Sequence, residues 1–158
     1  MNFLADNMLG SLAKWLRILG YDVAYPPGAD DNELVRLARA EGRVLLTRDT
    51  GLARRRGLTV LLIESESLED QVRQVIEQMG LSVDQPFSRC PVCNTPLQGV
   101  DKDTIRERVP PYVFQTQKNF SVCSRCDKIY WQGTHWAKMQ KRITNLRNNS
   151  DASSEPEL

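Results

Sequence analysis

The hydrophobic positions of the first 80 residues follow two alternating periods. Short runs suited to strands recur at four places, residues 2–5, 22–25, 44–47 and 59–63. Between and after them, apolar side chains recur at helical spacing, and the first such stripe comprises Met8, Leu9, Leu12, Trp15, Leu16 and Leu19. Gly20, Gly42 and Gly80 follow three of the stripes, where helix-ending glycines belong. The pattern predicts an α/β fold, a parallel sheet with helices on both faces.

The periodic pattern ends near residues 82–88, where Asp84 and Pro86 interrupt it and predict a linker. Four cysteines and scattered aromatic residues follow, and beyond residue 145 the composition becomes polar. We therefore divide the chain into an α/β domain at residues 1–84, a small cysteine-containing module at residues 85–145 and a disordered tail at residues 146–158.

Charge differs between the two halves of the chain. Residues 1–85 carry 10 basic and 13 acidic side chains, whereas residues 86–158 carry 11 and 7. An acidic half joined to a basic half indicates a polyanion held by one and processed by the other, although chance explains the charges alone equally well. The sequence shows neither a membrane-spanning apolar run nor a signal peptide. We expect a cytoplasmic protein without a membrane partner, whose cysteines bind metal rather than form disulfides.

Aspartates follow three of the predicted strands. Asp6 comes directly after the first, Asp30 and Asp31 come after the second, and Asp49 comes just after the third. The carboxyl ends of parallel strands meet at one edge of a sheet, and crowded carboxylates select Mg²⁺ or Mn²⁺. Each aspartate has an alternative role as a helix cap, and Asp30 has capping-box spacing to Glu33. That spacing favours Asp31 as the ligand, although spacing alone cannot rank two adjacent aspartates.

The four cysteines form two CxxC pairs, Cys90 with Cys93 and Cys123 with Cys126. Two such knuckles complete a tetrahedral zinc site, and the long interval between them suits a hairpin arm or a small insertion. Redox chemistry is the alternative, but neither pair opens a helix after a strand as in thioredoxin-like proteins. A site closed by four thiolates makes the zinc structural rather than catalytic.

Aromatic and basic residues alternate in the second half, a combination typical of single-stranded RNA binding. The alternative is that the aromatic side chains form the core of the module or dock it onto the first domain. The RNA contacts that we predict are Lys14, Arg17, Arg125, Lys128, Trp131 and His135. His135 is the only histidine, which argues against an RNase A-like mechanism with two histidines, and a packed or surface role is its alternative.

Several stretches carry a resemblance to a known family. They are GSLAKWLRILGYD at residues 10–22, LLTRD at residues 45–49, PPYV at residues 110–113 and IYWQGTHW at residues 129–136. Together with the two cysteine pairs, they resemble the Mut-seven C-terminal RNase domain family, a branch of the PIN-like nucleases with an attached zinc ribbon. The resemblance runs from about Phe3 to about Lys138.

The resemblance implies a PIN-like sheet with the first strand central. It also implies that Asp6, Asp31 and Asp49 hold a catalytic metal ion and that Arg48 is the basic residue beside Asp49. We find no Walker loop, no GxSxG and no dinucleotide fingerprint.

Three functions are consistent with the sequence. The leading hypothesis is a metal-dependent ribonuclease, with Mg²⁺ or Mn²⁺ as cofactor, whose zinc ribbon helps to bind single-stranded or structured RNA. The alternatives are a non-catalytic RNA-binding or ribosome-associated adaptor and a toxin-type nuclease controlled by an antitoxin.

Overall fold

A computed structural model of the chain describes residues 1–134 and 136–142. His135 and the predicted tail at residues 146–158 lie outside the described residues. Within those two ranges, no helix combines the length and the apolar character needed to cross a membrane.

The amino-terminal module alternates strands and helices as the sequence pattern predicts. Its strands are β1 (Asn2–Ala5), β2 (Asp22–Ala24), β3 (Val44–Thr47) and β4 (Val60–Leu62). Its helices are α1 (Gly10–Ile18), preceded by a 3₁₀ turn at Asn7–Leu9, then α2 (Asp31–Glu41), α3 (Thr50–Ala53) and α4 (Leu68–Met79). All strand pairs are parallel, in the order β2-β1-β3-β4. The α/β fold with the first strand inside the sheet is therefore confirmed.

Side chains of the interior strands point alternately to the two faces of the sheet. Phe3 and Ala5 of β1 pack in one apolar cluster with α1 and α4, whereas Leu4 packs in another with α2 and α3. β3 divides its side chains between the same two clusters. Each interior strand is buried on both faces, and this is why its sequence is continuously apolar.

The ends of three elements differ from the sequence prediction. β2 ends at Ala24, one residue before the end of the predicted run, and β4 is one residue shorter at each end than the apolar run at 59–63. The sequence predicts a brief helix at residues 52–56, but the helix α3 begins at Thr50 and ends at Ala53. The reason is that the Asp49 side chain accepts hydrogen bonds from the backbone N–H groups of Gly51 and Leu52, and so starts the helix earlier.

The carboxy-terminal module contains an antiparallel sheet of three strands. They are β5 (Gln98–Val100), β6 (Phe120–Cys123) and β7 (Lys128–Tyr130), in the order β5-β6-β7. The interval between the cysteine pairs also holds a 3₁₀ segment at Lys102–Arg108 and the helix α5 (Pro111–Thr116). The buried apolar cluster of this module consists of Ile105, Val109, Val113 and Phe120. So small a core suits a module that a metal ion stabilises.

The chain returns to the α/β module after the three-stranded sheet. Trp136 is 4% exposed and, with Met139, belongs to the same apolar cluster as α1 and α4. Phe87 of the predicted linker meets Trp136 edge-on, with ring centroids 5.0 Å apart. The division between residues 84 and 85 stays a prediction, because residues from both sides of it share one core.

A buried arginine connects the two modules. Arg17 of α1 is 7% exposed, and its Nε donates to the carbonyl oxygen of Val23 at 2.9 Å. Its Nη1 donates to the carbonyl oxygens of Pro91 and Val92, at 3.0 and 3.2 Å. Burial lowers the pKa of Arg17, and the nearby Cys93, Cys90 and Asp22 side chains oppose that shift. The guanidinium therefore satisfies carbonyls on both sides of the boundary between the modules.

We expect Arg17→Met to lower the free energy of unfolding by about 2–4 kcal/mol, because three carbonyl oxygens lose a charged donor while the apolar stem is kept. Urea denaturation of the zinc-loaded chain measures the change. Lys14→Met is the matched control, since Lys14 lies on the same helix and is exposed. Equal stability of the two variants would contradict the role given to Arg17.

Candidate functional site

One hydroxyl group at the carboxyl edge of the sheet contacts both the side chain of Asp6 and the backbone of Asp49. Thr47, the last residue of β3, is fully buried. Its Oγ1 donates to Oδ2 of Asp6 at 2.8 Å and accepts from the backbone N–H of Asp49 at 3.0 Å. The backbone N–H of Asp6 in turn donates to the carbonyl oxygen of Leu46 at 3.0 Å. The ends of β1 and β3 are thereby held side by side, with both carboxylates at the same edge.

Helix capping distinguishes Asp30 from Asp31. Oδ1 of Asp30 accepts from the backbone N–H of Glu33 at 2.9 Å, so Asp30 is the N-cap of α2. Asp31 lies in the first turn of the same helix and is exposed. Within the described part of the chain, its carboxylate makes no hydrogen bond or ion pair. Asp31 is therefore available for a ligand, whereas Asp30 already has a structural role.

The Asp49 carboxylate has two oxygens with different surroundings. Its Oδ1 accepts from the backbone N–H groups of Gly51 and Leu52, at 2.8 and 3.1 Å. The other oxygen, Oδ2, is not used in capping. Asp49 can therefore cap α3 and still offer one oxygen to a cation.

The loop that carries Asp30 and Asp31 is fixed to the end of β1. Nδ2 of Asn7 donates to the carbonyl oxygen of Ala29 at 2.8 Å. The Tyr25 hydroxyl donates to the carbonyl oxygen of Asn7 at 2.6 Å. These bonds hold the start of α2 beside the first strand, although Asp6, Asp31 and Asp49 are not gathered within 4.8 Å of one another in the described residues.

Two arginines border the acidic edge. Nη1 of Arg48 lies 3.8 Å from Oε1 of Glu66, while its Nε is buried and has no partner among the described residues. Nη2 of Arg55 donates to Oδ1 of Asn32 at 3.2 Å, which places it beside the first turn of α2. Because Glu66 is largely exposed, its ion pair with Arg48 is weak, and Nη1 of Arg48 can exchange it for another partner.

The four cysteines come together as the two CxxC pairs predict. All four Sγ atoms lie within 4.8 Å of one another, and those of Cys93 and Cys123 are 3.5 Å apart. A tetrahedral site with Zn–S bonds of about 2.3 Å needs sulfur atoms separated by roughly 3.8 Å. The side chains thus fit a metal such as zinc. In the described part of the chain, no other group of three or more cysteine, histidine or carboxylate side chains brings its ligand atoms this close together.

Both knuckles have the same backbone turn. Asn94 and Asp127 directly follow the two pairs and have positive φ angles of 70° and 54°. Their N–H groups donate to the carbonyl oxygens of Cys90 and Cys123, at 2.9 and 2.8 Å. The left-handed region favours glycine, and asparagine and aspartate are the other residues that adopt it readily. The sequence therefore supplies a suitable residue at both turns.

The thiols of the cluster have strongly shifted acidities. Burial raises the pKa of Cys93, but hydrogen bonds with Thr95 and with the neighbouring thiols outweigh burial and lower that pKa to about 6. The pKa of Cys126 is raised to about 12, mainly by its hydrogen bond with Cys93 and to a smaller extent by burial. Such opposite shifts arise because the crowded thiols share protons, which a bound divalent cation would release.

The predicted RNA contacts have different positions in the structure. Lys14 and Trp131 line one cleft between the two modules. Arg125 and Lys128 are exposed on the carboxy-terminal module, whereas His135 lies outside the described residues. Arg17 is buried and hydrogen-bonded to three carbonyl oxygens, which gives it a role inside the protein rather than at a phosphate.

A family model described as the Mut7-C RNAse domain matches residues 1–143. The chain belongs to this family. A human protein named exonuclease mut-7 homolog is 32% identical over 99 residues, which is 58% of this chain and 11% of that protein. The chain thus corresponds to a small part of this Mut7-C relative. No solved structure matches the chain.

Membership of the Mut7-C family confirms the resemblance seen in the sequence and supports a nuclease-like function with a nucleic acid substrate. Thr47 is the site residue that sequence reasoning missed. Its signal is a single polar residue at the end of an otherwise apolar strand, two positions before Asp49. Threonine is common in strands, so this signal is weak on its own.

We expect the purified chain to contain one equivalent of zinc, because four thiolates at these distances form a closed tetrahedral site. Cys123→Ser should lose most of that zinc and much of the stability of the carboxy-terminal module. Metal analysis and thermal unfolding measure the two effects. Ser124→Ala, a change within the same knuckle, should keep the full zinc content. Loss of zinc from Ser124→Ala would contradict the assignment of the four cysteines as the ligands.

Proposed function

We propose that the chain is a metal-dependent ribonuclease that hydrolyses RNA phosphodiester bonds at the acidic edge of the parallel sheet. The observation that supports this most is the pairing of Asp6 and Asp49 through the buried Thr47 hydroxyl, with Asp31 exposed at the start of the neighbouring helix. Parallel sheets bind their ligands at this edge.

Asp6, Asp31 and Asp49 are the residues that would hold Mg²⁺ or Mn²⁺. A bound divalent ion supplies activation of water and neutralises the charge that develops on the phosphate. Carboxylate oxygens are the ligands that these ions prefer. Thr47 orients Asp6 by its hydrogen bond, and Asp49 is oriented by the helix that it caps.

Positive side chains next to the carboxylates would position the RNA backbone. Arg48 adjoins Asp49, and Arg55 reaches Asn32 beside Asp31. A guanidinium binds phosphate in a planar, two-pronged geometry. The zinc ribbon would hold the RNA strand while zinc itself stays structural, since four cysteines leave no open position. A cytoplasmic location is part of the proposal, and free cysteines placed as metal ligands suit a reducing compartment.

A non-catalytic RNA-binding adaptor is the second candidate. Two observations favour it: Asp30 and Asp49 both cap helices, and the three carboxylates are not gathered tightly in the described residues. In that case the aspartates would be structural, and the carboxy-terminal module would carry the function.

Each of the substitutions Asp6→Asn, Asp31→Asn and Asp49→Asn should lower the rate of cleavage at least roughly 100-fold, because the amide removes a charged oxygen that the metal and the reaction need. The assay is cleavage of a labelled single-stranded RNA with Mn²⁺ or Mg²⁺. Asparagine caps helices as well as aspartate does, so Asp49→Asn should keep its fold and its zinc.

Asp30→Asn is the matched control for Asp31→Asn, because it changes the adjacent residue and preserves the cap of α2. Its cleavage rate should stay near that of the wild type. Equal cleavage by the wild type and all four variants would identify a contaminating nuclease. Absence of cleavage together with tight RNA binding would favour the adaptor.

Thr47→Val should weaken Mn²⁺ binding by roughly 10- to 100-fold, since groups that orient metal ligands typically have effects of this size. Thr47→Ser should restore the affinity, because serine keeps the hydroxyl that bonds to Asp6. Titration of Mn²⁺ by electron paramagnetic resonance measures both. Lower stability with unchanged Mn²⁺ affinity would make Thr47 a purely structural residue.

A further inference from the structure

A cleft of about 850 Å³ lies between α1 of the α/β module and the carboxy-terminal module. Its volume falls within the ~300–1,000 Å³ typical of sites that bind small ligands. One wall comes from α1 and includes Lys14 and Trp15, and the opposite wall includes Tyr112 of α5 and Trp131. The cleft is separate from the carboxylates of the acidic edge, which do not line it.

Flat aromatic side chains dominate the walls of this cleft. All three tryptophans of the chain, at positions 15, 131 and 136, line it. Tyr112 is 69% exposed, although an aromatic ring of this size is normally covered, so its face is free to stack on a ligand. Lys14 is exposed and is the charged residue of the lining.

One residue of the lining, Trp136, carries an unsatisfied hydrogen-bond donor. Nε1 of Trp136 is buried and has no acceptor among the described residues. A buried donor without a partner is costly. After a small movement of the indole, this N–H could donate to a ligand that carries a flat ring with a carbonyl or ring-nitrogen acceptor. An aliphatic ligand offers no such acceptor.

The cleft is fixed to the cysteine cluster. The hydroxyl of Tyr130, which lines the cleft, lies 3.2 Å from Sγ of Cys90. Pro91 of the first knuckle also lines the cleft, and its carbonyl oxygen accepts from Arg17. The shape of the cleft therefore depends on an ordered metal site and on the contact between the modules.

We propose that this cleft binds an unpaired nucleobase of the RNA strand, with Tyr112 and Trp131 stacking on the base and Lys14 contacting an adjacent phosphate. Aromatic faces with a nearby cation are the usual means of binding single-stranded RNA without reading its sequence. This inference rests on the proposed function, because it takes the ligand to be the same strand that the acidic edge would cleave.

The position of α1 would let one RNA strand contact both the cleft and the acidic edge. The helix starts at Gly10, shortly after Asp6, and Lys14 lies four residues further along. At 1.5 Å per residue this is roughly 6 Å along the helix axis. A strand that lies along α1 would thus pass from the cleft to the acidic edge.

The first test uses the tryptophans as reporters. The zinc-loaded full chain, without added Mg²⁺ or Mn²⁺, is titrated with a hexamer of uridylate and with an abasic hexamer of the same length and charge. We expect saturable quenching of tryptophan fluorescence by the base-bearing strand and little quenching by the abasic one. Equal quenching by both would overturn the proposal, because the cleft would then bind phosphate rather than a base.

Variants then assign the binding to the cleft. Tyr112→Ala should weaken binding of the uridylate hexamer by about fivefold or more, the loss equivalent to one weak stacking contact, and Tyr112→Phe should bind like the wild type. Lys14→Gln should weaken binding, whereas Lys118→Gln should not, since Lys118 is an exposed lysine outside the lining. Unchanged affinity of Tyr112→Ala would overturn the assignment to this cleft.

Binding and cleavage can fail separately. Base-dependent quenching without cleavage would keep the cleft proposal and remove the ribonuclease. The opposite result is normal cleavage by Tyr112→Ala and no base-dependent quenching in the wild type or the variants. It would keep the ribonuclease and remove the cleft proposal. Strong binding of an apolar dye but not of the hexamer would point to protein docking and would also overturn it.

Discussion

The two modules of this chain depend on one buried guanidinium. Arg17 projects from α1 and donates to carbonyl oxygens of an edge strand and of the first cysteine knuckle. Burying a charge is costly unless it is hydrogen-bonded, and here three carbonyl oxygens accept from Nε and Nη1 of Arg17. This contact, together with the bond between Asn94 and Val23, fixes the first knuckle beside α1 and β2 and so forms one side of the cleft between the modules.

The acidic edge shows how one residue type can serve two purposes. Asp49 caps α3 with one oxygen and leaves the other toward solvent, and Thr47 holds its backbone N–H. The capping bonds already restrict the Asp49 side chain. A ligand that binds its free oxygen would therefore lose little further side-chain entropy. One oxygen of Asp30 caps α2, whereas the carboxylate of its neighbour Asp31 makes no hydrogen bond within the described residues and is the freer of the two.

Much of the fold could be predicted because burial on both faces leaves continuous apolar runs, as in β1 and β3. The cysteine cluster was predictable because each knuckle is local in sequence. The spacing of Asp30 and Glu33 also predicted the cap of α2 correctly, but it could not by itself assign the metal ligand, since a cap and a ligand require the same side chain. The role of Arg17 was also hidden: its acceptor at Pro91 lies 74 residues away, and a basic residue on a helix carries no signal of such a contact.

The edge strand β2 has a consequence for the behaviour of the protein in a crowded solution. Its outer side would normally present unpaired backbone groups, to which a strand of another molecule can add. Here the N–H of Val23 donates to Oδ1 of Asn94, and its carbonyl oxygen accepts from Arg17. The knuckle and the helix thus occupy the open edge, and the module that carries the cysteines also protects its neighbour against edge-to-edge aggregation.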